Sequence, residues 1–159
     1  MGYSTDFTGQ FDLNKPLDDD TYNFLKKLAE TRRMKRHFEN EAFGIDGEFY
    51  VDGAGPYGQG NEDSIIDYNQ PPRTQPSLWC QWTPTDDKLH IEWDGGEKFY
   101  DYIGWIQYII EKVLKPKGYK LSGEVEWNGE GLGDIGKIKI TNNIIKIGEP
   151  VITYKYRKI

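Results

Sequence analysis

The chain has 159 residues, 36% hydrophobic and 14% aromatic, with a formal net charge of −6. That length suits one domain able to bury roughly two-thirds of the surface its unfolded chain exposes, and the acidic balance excludes nucleic-acid binding driven by overall charge. The single cysteine, Cys80, excludes an internal disulfide, no apolar run nears the roughly 18 residues of a membrane span, and no signal-peptide succession opens the chain, so a soluble cytoplasmic protein is expected.

Ser4 to Leu13 places Phe7, Phe11 and Leu13 in loose alternation and reads as a first strand. Asp18 is positioned to cap a helix, with Asp19 and Asp20 in the first turn complementing its dipole. Tyr22, Leu25, Leu28 and Ala29 follow helical spacing, and the same face continued one turn further brings in Arg32 and Arg36. Residues 38–77 form a long irregular insertion rich in Gly, Pro, Asp and Asn, within which Glu48–Val51 and Ser64–Tyr68 are candidate short strands.

From Leu78 the signals sharpen. Leu78, Cys80 and Trp82 alternate with Trp79 and Gln81, and Leu89, Ile91 and Trp93 alternate with His90 and Glu92. A short polar turn between them predicts an antiparallel hairpin. Asp94-Gly95-Gly96-Glu97 has the spacing of a capping box, and Phe99, Tyr102, Ile103, Ile106, Ile110 and Val113 mark the helix that follows. Trp105, Tyr108 and Ile109 widen its apolar face, which predicts deep burial, and Pro116 and Gly118 end it. Tyr119 to Trp127 alternates as a half-exposed strand. Residues 136–159 are expected to supply further strands: a hairpin of Ile138/Ile140 and Ile145/Ile147 turning at Asn142-Asn143, then an edge strand over Val151–Tyr156. The order predicts a single α+β domain over 1–159, an antiparallel sheet with two helices on one face in a split βαβ (ferredoxin-like) arrangement, extended by a C-terminal hairpin.

Chemistry is less legible. There is no nucleophile elbow and no phosphate-cradling loop, and His37, His90 and one cysteine do not make a zinc site, so no metal and no cofactor are expected. Cys80 reads as a small buried hydrophobe unless a base such as His90 faces it. Arg32, Arg33 and Arg36 lie within five residues, more cation than a helix C-terminus needs at about 0.3–1 kcal/mol each. Two readings stand: an internal clamp on the acidic loop that follows, or a fork for an anion or a partner. Ser64 to Arg73 joins an apolar anchor to polar groups and stiff prolines, the pattern of a loop carrying contacts. Trp79, Trp82 and Trp93 offer either stacking surface or core.

The blocks Thr31-Arg32-Arg33-Met34-Lys35-Arg36, Ser64-Ile65-Ile66-Asp67-Tyr68-Asn69, Leu78-Trp79-Cys80-Gln81-Trp82 and Glu92 to Tyr100 resemble those of a family of small, functionally uncharacterised proteins of bacteria and their phages. The resemblance implies a compact protein of a bacterial or phage-infected cell and carries over no catalytic residues. The sequence reading is a non-enzymatic binding module. Arg32, Arg33, Arg36, Asp67, Asn69, Arg73 and Trp79 would form a site for a small nucleotide-like anion or a protein partner. An enzyme acting on a nucleotide or phosphoester, with Asp67 or Glu97 as base, and a structural or inhibitory partner protein are the alternatives.

Overall fold

The computed structural model describes residues 2–37 and 62–159. The expected strand Glu48–Val51 lies outside the described residues. Strand β1 (Thr5–Leu13) leads to helix α1 (Asp19–Glu30), then to a two-stranded sheet of β2 (Lys35–Arg36) and β3 (Ile65–Asp67). The hairpin β4 (Trp82–Pro84) and β5 (His90–Trp93) precedes helix α2 (Tyr102–Ile109). A π turn over Ile110–Leu114 and a 3-10 turn over Lys115–Lys117 prolong α2, and β6 (Leu121–Gly129), β7 (Ile135–Thr141) and β8 (Ile144–Gly148) follow.

The main sheet has the order β4-β5-β1-β6-β7-β8, and every pairing is antiparallel. Strand β5 lies between β1 and β4, the pair that α1 connects, while β1 lies between β5 and β6, the pair that α2 connects. These are two interlocked split βαβ units, as the order of elements predicts. The register explains why one face is dry. Phe11 opposes Ile91, Phe7 opposes Trp127, and Val125 opposes Ile138, so alternate residues of four strands point to the helices. On the other face Asp6, Thr8, Gln10, Asp12, Glu124 and Lys139 meet solvent.

Phe7 is the hub of the core. Its ring lies 5.0 Å from Tyr102, 5.2 Å from Trp82, 5.4 Å from Trp93 and 5.6 Å from Phe99, mostly edge to face, the preferred aromatic geometry. Along α2 the apolar pairs Ile109-Ile110 and Val113-Leu114 are all buried. The π turn fits this: it shifts the last turn so that both neighbours of each pair face inward. Gly9, at φ +105° in the middle of β1, could not be replaced simply, because a Cβ there would come within 2.7 Å of the Glu124 carbonyl.

Several expectations hold in detail. Asp18 caps α1 by accepting from the Thr21 N–H at 2.7 Å, Gly118 ends the second helical segment in the left-handed region at φ 78°, and Asn142 and Asn143 turn at φ 47° and 71°. Four are corrected. Helix α1 stops at Glu30, and Thr31 is already extended, so the arginines follow the helix rather than crown it. Asp94 accepts from Gly96 N–H in a local turn, and Asp101 caps α2 instead, because Gly95, Lys98 and Asp101 all take positive φ and hold 95–101 out of the helix. Leu78–Gln81 is not a strand, its backbone being spent on tertiary contacts such as Arg33 N–H to the Leu78 carbonyl at 2.7 Å. Finally, Val151–Tyr156 adds no edge strand, and every residue from Glu149 onward is exposed.

Candidate functional site

The stretch 31–37 runs extended between two loops, and its backbone fastens both. Arg33 N–H donates to Leu78, Lys35 N–H to the Gln70 carbonyl at 2.7 Å, and His37 N–H to Ser64 at 2.6 Å. Adjacent residues of an extended chain point to opposite sides, which separates Arg32 from Arg33, and the pairing of β2 with β3 is irregular between Lys35 and Arg36. Arg33 and Arg36 are each 2% exposed, whereas Arg32 is half-buried and reaches the surface. Arg33 Nε–H donates to Gln75 Oε1 at 3.3 Å, and the Gln75 amide donates to the Tyr108 hydroxyl of α2 at 3.2 Å. Arg36 donates to Ser64 Oγ at 2.9 Å. Arg33 thereby links the loop at Gln75 to α2, and Arg36 holds Ser64 beside β2, whereas the acids Asp46, Glu48 and Asp52 of the expected clamp lie outside the described residues.

Arg32 is different. Its Nε–H donates to the Tyr68 carbonyl at 3.0 Å and one terminal N–H reaches Asn69 Oδ1 at 3.4 Å. A guanidinium has five donors, so these two bonds use fewer than half of them. It lies in a surface groove of about 470 Å³ that it lines with Asn69, Pro71, Pro76, Ser77, Leu78, Trp79, Glu97, Lys98 and Tyr100. Of the residues singled out in the sequence, Arg32, Asn69 and Trp79 therefore meet in one place. Arg33 and Arg36 are turned inward, Asp67 accepts from Asn69 N–H at 2.8 Å and shapes the turn, and Arg73 is exposed outside the groove.

The groove is held from behind. Trp105 Nε1–H donates to Ser77 Oγ at 2.6 Å, and the Ser77 hydroxyl in turn faces the Tyr100 carbonyl at 3.0 Å and that of Trp79 at 3.2 Å. The Gln81 side chain donates to the Glu97 carbonyl at 2.7 Å and accepts from Trp93 Nε1–H at 3.0 Å. Two buried or half-buried tryptophans thus fix the two loops that form the groove. Lys98 and Tyr100 escape sequence reasoning because 97–100 resembles a first helical turn, and Ser77 because it sits in an irregular loop with no period to mark it. The signal that was available is the Gly95-Gly96 pair, which favours a loop over a helix start.

Trp82 and Trp105 are wholly buried and Trp93 packs on Phe7, leaving Trp79 as the tryptophan of the groove. Cys80 is fully buried with Sγ 3.6 Å from the Trp82 carbonyl, and burial pushes its thiol up to about 12. His90 stands on the solvent face, its Nδ1 2.7 Å from Asp12 Oδ1, so no Cys–His pair exists. Among the described residues, no three His, Cys, Asp or Glu side chains gather as metal ligands and no helix is long and apolar enough to cross a membrane. No protein-family model, no curated protein and no solved structure matches the chain.

Proposed function

We propose that this protein is a binding module whose groove between the 69–79 and 97–100 loops takes a small nucleotide-like anion. The observation that supports the reading is the meeting of Arg32 and Lys98 with the rings of Trp79 and Tyr100 in one groove. Cations supply charge complementarity for a phosphate, and a guanidinium forks onto it. Aromatic faces supply a sequence-tolerant stacking surface worth about 1–3 kcal/mol per base. The volume of about 470 Å³ falls in the range of small-molecule sites, roughly 300–1,000 Å³.

A thermal-shift screen against nucleotides and sugar phosphates tests this. A ligand at 100 times its dissociation constant adds about 2.7 kcal/mol, or roughly 5–10 °C at about 2–4 °C per kcal/mol. A flat screen sinks the small-anion reading. Glu97 also lines the groove and supports a second reading, in which the module turns its ligand over with that carboxylate as base. Hydrolysis that survives Glu97→Gln, or no hydrolysis at all, rejects it.

A further inference from the structure

The segment after β8 is unlike the rest of the surface. Val151, Ile152, Tyr154, Tyr156 and Ile159 are 87%, 80%, 76%, 90% and 112% exposed, so five large apolar side chains within nine residues touch almost nothing of their own chain. Its pattern is that of a half-buried strand: Ile152, Tyr154 and Tyr156 alternate with Thr153, Lys155 and Arg157. Strand β8, from which it departs, is the edge of the six-stranded sheet. One side of β8 pairs with β7, and its other side presents unpaired backbone beside the exposed Ile144 and Ile147, 64% and 45% accessible. An edge of this kind is a template for strand addition. After Gly148 the segment leaves the sheet and does not pair with its own β8, so the edge and the strand-patterned segment are both present and unjoined.

We infer that two copies of this chain exchange residues Val151–Ile159, each arm adding as a strand to the β8 edge of the other copy. At long range charge favours this occupant, the one charged side chain of β8 itself being Lys146 and the acidic surface lying on the body beyond the edge. Residues 149–159 carry Lys155, Arg157 and Lys158 against Glu149, a net of +2, so the remaining 148 residues carry −8 of the total −6. A basic arm is attracted to the acidic body of a second copy, while two acidic bodies without arms repel. The exchange is reciprocal and closes as a two-fold dimer instead of growing into a filament. Its size is adequate: Tyr154 and Tyr156, at about 150 Å² or more each, contribute roughly 600 Å² from two arms. The surfaces they cover bring this to about 1,200 Å², the lower bound of stable interfaces, before Val151, Ile152 and Ile159 are added.

The test is the solution mass of the full chain by light scattering after size exclusion, at micromolar concentration and at low and high salt. The expected result is a particle of twice 18.5 kDa that loosens as salt rises. The variant Ile152→Asp/Tyr154→Asp is expected to run as a monomer. Since Ile152 and Tyr154 are 80% and 76% exposed, the variant should keep the wild-type circular dichroism spectrum. A wild-type monomer at every concentration overturns the inference and assigns the arm to a different partner. A dimer that survives both substitutions overturns it as well, by placing the contact elsewhere.

Discussion

Truncating Arg33 to alanine separates a structural clamp from a ligand contact. The side chain is 2% exposed and donates to Gln75, which in turn bonds Tyr108 on α2. Removing its two methylenes beyond Cβ forfeits about 1.6 kcal/mol at roughly 0.8 per buried CH₂. Leaving the Gln75 oxygen without this donor adds about 1–3 kcal/mol. The sum, about 3–5 kcal/mol, lowers the melting midpoint by roughly 6–20 °C at about 2–4 °C per kcal/mol for a chain of this length. Arg33→Met keeps the methylenes and loses only the donor, so its shift should be about half as large. Circular dichroism melts of the three proteins measure both shifts. A wild-type midpoint in Arg33→Ala, together with lost ligand binding, would refute the clamp and return Arg33 to the site.

Two more outcomes follow from titratable groups. Asp18 is held at about 2, below its ordinary 3.8, because the Thr21 N–H and then the Tyr119 hydroxyl, 2.8 Å away, bond its carboxylate. Its contribution to stability is complete above the ordinary value and is lost as pH falls through that window toward the folded value. Melts between pH 5 and pH 2 should therefore fall less steeply for Asp18→Asn than for wild type, and equal slopes would contradict the cap. Cys80, with its thiol pushed up to about 12 and no exposure, should resist maleimide in native protein and react once denatured. Fast native labelling would show that the Trp79–Trp82 region opens.

The fold was legible because its signals are periodic. Alternation over β1, β6 and β7 and the wide apolar face of α2 declare both element type and buried side, and the order of elements then leaves few topologies. The site was only half legible. Sequence proximity grouped Arg32, Arg33 and Arg36, but extended backbone separates neighbours that a helix would have stacked, so only Arg32 reaches the groove. Lys98 and Tyr100 arrive by tertiary contact: a left-handed turn at Lys98 and the Gln81 and Ser77 hydrogen bonds bring them opposite Trp79. No period in the sequence encodes that. The segment after β8 shows the converse: Ile152, Tyr154 and Tyr156 alternate like a strand, yet pair with no strand among the described residues, because alternation encodes a face and not a partner.

The most direct test of the groove is calorimetric titration of the best anion from the thermal screen into wild type, Arg32→Ala, Trp79→Ala and Arg33→Met. The account predicts saturable binding to wild type, at least about tenfold weaker binding in the first two variants, equivalent to about 1.4 kcal/mol, and unchanged affinity in Arg33→Met. Binding that ignores Arg32 and Trp79 alike, or that vanishes with Arg33 in a folded protein, would contradict it.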